Sequence, residues 1–443
     1  MITNDADRRL MAWLEAEAPP REPEHLLEAV LLRTERTPRR PAWRIPERWT
    51  SMTTITTPVA TGGRGGWALP AVIALVVLAL VASLLVVAGN QPARVPAPFG
   101  SAANGKLVYE GGDDLLWIDP ATGATGTIVA TPAFEIVPQF SRDGTQLAWW
   151  QGGNPSGQEV ADAVLTVARA DGSGAAPLGT FQGPSSYAWS PSGDRIAVES
   201  LIDGRSSITV VDVASGRATA LPIGFDATEP AFRPNGTELV FRGREGSGPW
   251  GLYIVGVDGA DPRRLPLDEG FEEDRNYAEN ADFYLLDPAW SPDGKRLAFH
   301  TLEESLADPD PGFRVHVAAI DPSGNVTGQT TLPTEIAVDD EFQAAWLPDG
   351  SGLLTHRVEE VDHQLIRWTL GDGIKADGPG RALDTGRIRG NTLDFWFVGT
   401  PDGASALVWQ ERTPAVLVPM SGGPAVQTAI QPGPGASWQR TAP

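Results

Sequence analysis

Carboxylates are the side chains of this sequence with the number and clustering to do chemistry. One group runs from Asp268 to Asp282 and includes Glu272, Glu273, Asp274 and Glu279. A second is Asp308 with Asp310, and a third is Asp339-Asp340-Glu341. Hard cations take oxygen ligands, so such groups suit Ca²⁺ or a cationic partner. Two acids flanking a sugar would suit glycoside cleavage. No twelve-residue Ca²⁺-loop pattern and no fixed acid pair is present. The expectation is therefore solvated acidic loops, with Glu272, Glu273, Asp274, Asp308 and Asp310 as candidate binding residues. No catalytic residue, metal or cofactor is assigned.

Other chemistries have less to stand on. The chain has no cysteine, which excludes disulfides, thiolate metal sites and thiol catalysis. The histidines are His25, His300, His316, His356 and His363. None has a paired metal-ligand spacing, and His300, His316 and His356 fall in or beside strand-like runs, so they read as ordinary strand-face residues. No Gly-x-Ser-x-Gly elbow and no phosphate-cradling loop with lysine occurs. Net charge is −22. Residues 1–66 carry 10 Arg and 9 acids, whereas residues 67–443 carry 24 basic and 47 acidic residues. The larger part is a poor fit to nucleic acid or an anionic membrane surface.

The elements that would position these groups repeat. Asp287-Pro-Ala-Trp290-Ser-Pro-Asp293-Gly294-Lys-Arg-Leu297-Ala-Phe299 reads as strand, turn and strand. Proline presets the turn, and glycine supplies the freedom to begin the return strand. Copies end at Gly144, Gly193, Gly236, Gly350 and Gly403, and Asn104-Gly105 is read as a seventh turn. The glycines lie 39, 49, 43, 58, 56 and 53 residues apart, one four-stranded blade per interval. Phe140, Trp189, Phe232, Trp290 and Trp346 stand four residues before their glycines. Gly399 holds that position in the sixth copy, which shifts the strand toward Phe395-Trp396-Phe397. The first copy lacks a preceding strand, and Gly435-Ala-Ser-Trp438 supplies one at the other end. The prediction is an all-β, seven-bladed β-propeller closed by the C-terminal strand, which removes the exposed sheet edges of an open array.

These motifs resemble the TolB-like, WD40-like (PD40) repeat, Pro-x-Trp-Ser-Pro-Asp-Gly-x-x-Leu-Ala-Phe, over about residues 100 to 443. The resemblance implies a bacterial propeller and says little about activity. Relatives serve as periplasmic binding proteins, as gating domains of serine peptidases and as sensor ectodomains. No room remains after the last copy for a peptidase domain.

The first hundred residues read differently. Residues 1–37 hold two short amphipathic helices, 5–18 and 23–37, with Leu10, Trp13 and Leu14 on one face of the first and Leu26, Leu27, Val30 and Leu31 on one stripe of the second. Residues 38–66 form a linker of five Arg and one Glu with interleaved Trp43 and Trp49. It suits either anionic lipid headgroups or a plain basic flank that sets topology. Residues 67–89 are uncharged, and 23 residues at about 1.5 Å each reach roughly 34 Å, enough to cross a bilayer. A retained single-pass anchor is expected rather than a cleaved signal peptide, with the N-terminus cytoplasmic and the propeller outside the inner membrane. Residues 90–100 are a spacer, and 101–443 the ring.

The expected function is non-enzymatic: a membrane-anchored extracytoplasmic module that binds a protein or small ligand, with residues 1–37 meeting a cytoplasmic partner. That layout resembles a membrane anti-sigma regulator without its zinc-type signature. Two alternatives stand: a hydrolase or lyase acting on sugars through loop carboxylates, and an envelope scaffold.

Overall fold

The computed structural model describes residues 97–152, 162–267, 288–305, 308–333, 339–359, 362–371, 373–389, 395–410 and 413–442. The expected helices, the basic linker, the 67–89 run, His25 and the acids of 268–287 lie outside these. Among the described residues no helix is long and apolar enough to cross a membrane. Backbone contacts divide the chain into Met1–Gln91 and Pro92–Pro443, and the ring lies in the second unit.

Strands form where apolar and β-branched residues alternate between turn signals. Among the described residues they make seven four-stranded sheets. Blade 1 holds β1 (Ala103–Gly111), β2 (Asp114–Ile118) and β3 (Thr125–Val129). Blade 2 holds β4 (Glu135–Phe140), β5 (Gln146–Gln151), β6 (Ala163–Arg169) and β7 (Ala176–Phe181). Blade 3 holds β8 (Tyr187–Trp189), β9 (Arg195–Ile202), β10 (Arg205–Asp212) and β11 (Ala218–Ala220). Blade 4 holds β12 (Asp226–Phe232), β13 (Glu238–Arg244), β14 (Gly251–Gly256) and β15 (Arg263–Arg264). Blade 5 holds β16 (Ala289–Trp290), β17 (Arg296–Ser305), β18 (Asp308–Ile320) and β19 (Val326–Thr331). Blade 6 holds β20 (Asp339–Trp346), β21 (Gly352–Glu359), β22 (Asp362–Thr369) and β23 (Arg381–Arg389). Blade 7 holds β24 (Phe395–Gly399), β25 (Ser405–Gln410), β26 (Val416–Pro419) and β27 (Val426–Gln427). The last strand, β28 (Ala436–Thr441), joins blade 1 in the order β28-β1-β2-β3. Trp438 pairs with Leu107, so the ring closes as the sequence predicts.

The repeated turn is a hydrogen-bonded device. Gly294 N–H donates to Ser291 O at 2.9 Å, and Ser291 Oγ donates to Asp293 Oδ1 at 2.6 Å. Asp293 Oδ1 also accepts the Lys295 N–H, and Ser291 Oγ accepts the Arg296 N–H. Gly294 sits at φ 68°, and the other five turn glycines lie at 70–73°, where a side chain is disfavoured. The proline has a second task. Pro191, Pro234, Pro292 and Pro348 each pack on the turn glycine of the next blade, at Gly236, Gly294, Gly350 and Gly403. Arg233 donates to Gly294 O, and Arg296 to Gly350 O, across the same blade boundaries. Turn and inter-blade contact are therefore one unit. Asp293→Ala removes two hydrogen bonds and is expected to cost about 1–2 kcal/mol, read as a lower urea midpoint at unchanged m-value.

Two expectations need correction. Asn104-Gly105 is not a turn: it lies inside β1, and Gly105 lacks the positive φ of the other six. The β1–β28 register shifts between Asn104 and Leu107, so the pair marks a bulge in the closing ladder. An Asn-Gly turn signal and a strand bulge ask for the same backbone freedom. Asp308 and Asp310 stand within β18 rather than in an open loop, with Asp308 paired to Ser305, and Asp339-Asp340-Glu341 open β20.

Candidate functional site

First strands of the blades converge on the ring axis and line an open cavity of about 510 Å³. Its wall takes Val137 and Gln139 from blade 2, Ser186 just before β8, Glu229 and Ala231 from blade 4, and Pro288 just before β16. Gln343 to Ala345, Trp396 to Val398, Trp409 and the segment Pro434 to Ala436 complete it. Val137 and Gln139, Glu229 and Ala231, and Gln343 to Ala345 sit in the middle and C-terminal halves of β4, β12 and β20. Trp396 to Val398 sit in the middle of β24, and Ser186, Pro288 and Gly435 just before β8, β16 and β28.

Backbone strain is concentrated on this wall. Val137, Glu229 and Gln343 have φ of 53°, 53° and 52°. Each stands three residues before the aromatic of its first strand, and each coincides with a register shift against the second strand. A β-branched residue at positive φ is unusual, and such strain persists only where surroundings impose it. Here the imposing groups are identifiable. Val137 N–H donates to Glu110 Oε1 at 2.7 Å, and Glu229 N–H donates to Glu199 Oε2 at 3.0 Å. The bulge turns the amide out of its own ladder toward a carboxylate of the preceding blade.

Glu110 and Glu199 hold equivalent places. Each lies three residues beyond the second-strand residue paired with the first-strand landmark. In chain order that place is filled by Glu110, Trp150, Glu199, Arg242, His300, His356 and Trp409. All seven are buried. They form a belt on the second strands, in which Trp409 reaches the chamber wall itself and the other six stand behind it. Burial pushes the Glu110 carboxyl up to about 7 against the pull of the Val137 and Gly435 backbone. Burial, then the Glu110 charge, raises the Tyr187 hydroxyl well above 10. Arg242 Nη1 lies 3.3 Å from Glu229 Oε1, and its guanidinium stacks 4.0 Å from the centre of Trp250. Burial, with help from Arg242 and His316, holds His300 down to about 3, so it is neutral. Trp409 donates to Gly433 O at 2.9 Å and stacks on Trp396 with centroids 6.4 Å apart. Trp396, Phe397 and Trp409 make one side of the chamber aromatic.

The sequence-predicted residues fare unevenly. Glu272, Glu273 and Asp274 lie outside the described residues. Asp308 and Asp310 belong to the β17–β18 hairpin by their backbone position and are not among the described wall residues. The four described histidines, His300, His316, His356 and His363, prove to be core groups: His356 Nε2 and His363 Nδ1 are 2.8 Å apart, with Phe395 stacked on both rings. Burial, then His363, holds His356 well below 6.5. His316 is held between Thr301 and Thr331. Among the described residues no three His, Asp or Glu side chains gather as a metal site would require. The chamber residues were missed because their identities differ from blade to blade. The available signal was positional, three places before each first-strand aromatic.

This fold defines the chain as a closed seven-bladed propeller built on TolB-like repeats. No protein-family model matches it. A TolB homologue of Chlorobium luteolum is 29% identical over 115 residues, 25% of this chain and 22% of the relative's length, so the match spans under a quarter of that protein. Among solved structures, the periplasmic gluconolactonase of Pseudomonas aeruginosa superposes with a TM-score of 0.52 at 15% identity, covering 77% of this chain and all of that one. An oligogalacturonate lyase in complex with manganese gives 0.50 at 17% identity, covering 74% and 86%. At these identities the likeness is one of fold.

Proposed function

We propose that the ring is a non-enzymatic binding module whose ligand or partner enters the axial chamber. The observation that carries this is the state of the acids around the chamber. Catalysis by paired carboxylates needs two of them converging on one substrate. Among the described wall residues Glu229 is the carboxylate, and Arg242 is bound to it. Glu199 and Glu110 stand behind the wall, each occupied by a backbone N–H. What the chamber presents is shape: an aromatic side, proline and alanine between, and strained backbone that fixes the opening. Concave, mostly apolar sites with a few placed polar groups are the common form of a ligand pocket. The predicted anchor at 67–89 would hold this module outside the membrane, and residues 1–37 would meet a cytoplasmic partner.

Filling the chamber tests the reading. In Ala345→Trp the indole occupies the opening. Envelope partners or ligands retained by the full-length wild-type chain are expected to be lost, at unchanged thermal unfolding. Val426→Trp, at an exposed site on outer strand β27, serves as the control and retains them. Equal retention by both variants would rule the chamber out as the binding site.

A further inference from the structure

The charge around the chamber names a ligand class, and the inference rests on the binding reading above. None of the described wall residues is Lys, Arg or His, and the acidic one is Glu229. In the belt behind it stand two further carboxylates, Glu110 and Glu199, against one cation, Arg242. Arg242 is already committed, to Glu229 on one side and to the Trp250 face on the other. His300 adds no charge. Burial leaves Glu110 only partly ionised near neutral pH. The Glu229 and Glu199 carboxylates, with a fraction of a charge from Glu110, thus stand against one base and leave a net negative chamber, inside a chain of net charge −22, whose field concentrates cations and repels anions. Across the cavity the aromatic side offers Trp396, Phe397 and Trp409, and the negative ring faces of tryptophan attract ammonium and guanidinium groups. Carboxylate on one side and indole on the other is the arrangement that takes up an organic cation. A sugar acid would find no counter-charge there.

We propose that the axial chamber binds an organic cation, an ammonium or guanidinium group held between the Glu229 side and the Trp396–Trp409 side. A free polyamine and a basic side chain on a peptide share this chemistry.

Gln343 provides a test that leaves the Arg242–Glu229 pair intact, because it lines the chamber from blade 6. Binding to the full-length protein is measured by calorimetry and tryptophan fluorescence, with spermidine, an Arg-containing tripeptide amide, galacturonate and methyl glucoside as probes. Wild type is expected to bind a cation, more weakly as salt rises. Gln343→Lys should weaken that binding at least about tenfold and Gln343→Glu strengthen it, while Trp396→Leu weakens it through the aromatic side. Spermidine binding without the tripeptide assigns a free polyamine, and the reverse assigns a peptide. Cation binding indifferent to both Gln343 variants overturns the proposal, as does a preference for galacturonate or the glucoside, or no binding of any probe. The Ala345→Trp variant separates the two levels. A natural partner lost in that variant but unmoved by Gln343→Lys keeps the chamber as the site and removes the cation.

Discussion

A stop after Gly435, which removes β28, is expected to abolish the cooperative fold of the ring. The strand does four things at once. It pairs with β1 through Trp438–Leu107, Ser437–Val108 and Ala436–Tyr109. Trp438 is buried with Leu107, Tyr109, Leu407, Trp409 and Ile430, joining blade 1 to blade 7. Ser437 Oγ accepts the Phe140 N–H, and Gln439 donates to Gly144 O, joining blade 1 to blade 2. Arg440 Nη2 donates to Ala97 O and Gly100 O. Truncating one buried tryptophan costs about 3–5 kcal/mol, and a whole domain holds only about 5–15. Loss of β28 also leaves β1 and β4 facing an open gap, with edges that invite aggregation. Urea unfolding, circular dichroism and size-exclusion chromatography read the outcome. A sharp transition within about 1 kcal/mol of wild type would show that the closing strand is dispensable. Gly144 is a milder probe of the same joint. An added Cβ there would collide with the Arg440 carbonyl, at a backbone φ of 70°. Gly144→Ala should therefore strain the seam without removing it.

The architecture could be read from sequence because the turn glycine recurs in all six copies and the residues before it come from a short set. Serine or threonine, aspartate and glycine each have a fixed hydrogen-bond or backbone duty, so the same letters recur at Gly144, Gly294 and Gly403. Asn104-Gly105 misled because its letters fit a turn while its place in the ladder required a bulge. The chamber resists such reading for the opposite reason. Its seven belt positions hold glutamate, tryptophan, arginine and histidine, so no motif links them until the ring brings them together. His356 and His363 make the same point at short range. Seven residues apart they have no metal-ligand spacing, yet the tight β21–β22 hairpin sets them diagonally across adjacent strands. Of the acid-rich runs that do stand out in the sequence, Asp308 and Asp310 belong to β18 and Asp339 to Glu341 to β20, and none of them is among the described wall residues of the chamber.

Glutamine at position 110 is expected to remove a pH dependence of stability. Burial raises the folded-state Glu110 carboxyl from 4.5 to about 7. A raised carboxyl makes the folded form hold its proton longer than the unfolded chain does. Its stabilising contribution is complete below about 4.5, declines as pH rises, and is gone above about 7. The span corresponds to about 3 kcal/mol. Histidine acts in the opposite sense. His356 and His300 are held below 6.5 by burial, so their contribution is present above 6.5 and is lost as pH falls. The two trends overlap and offset each other in the wild-type profile, so the informative quantity is the difference between Glu110→Gln and wild type. The amide oxygen can still accept the Val137 N–H, which keeps the bulge of blade 2 in place. Urea titrations from pH 4.5 to 8 should show the variant gaining steadily on wild type as pH rises, by up to about 3 kcal/mol at pH 8. Parallel profiles would mean that the carboxyl is ionised at an ordinary pH, and that the belt behind the chamber is better hydrated than its burial implies.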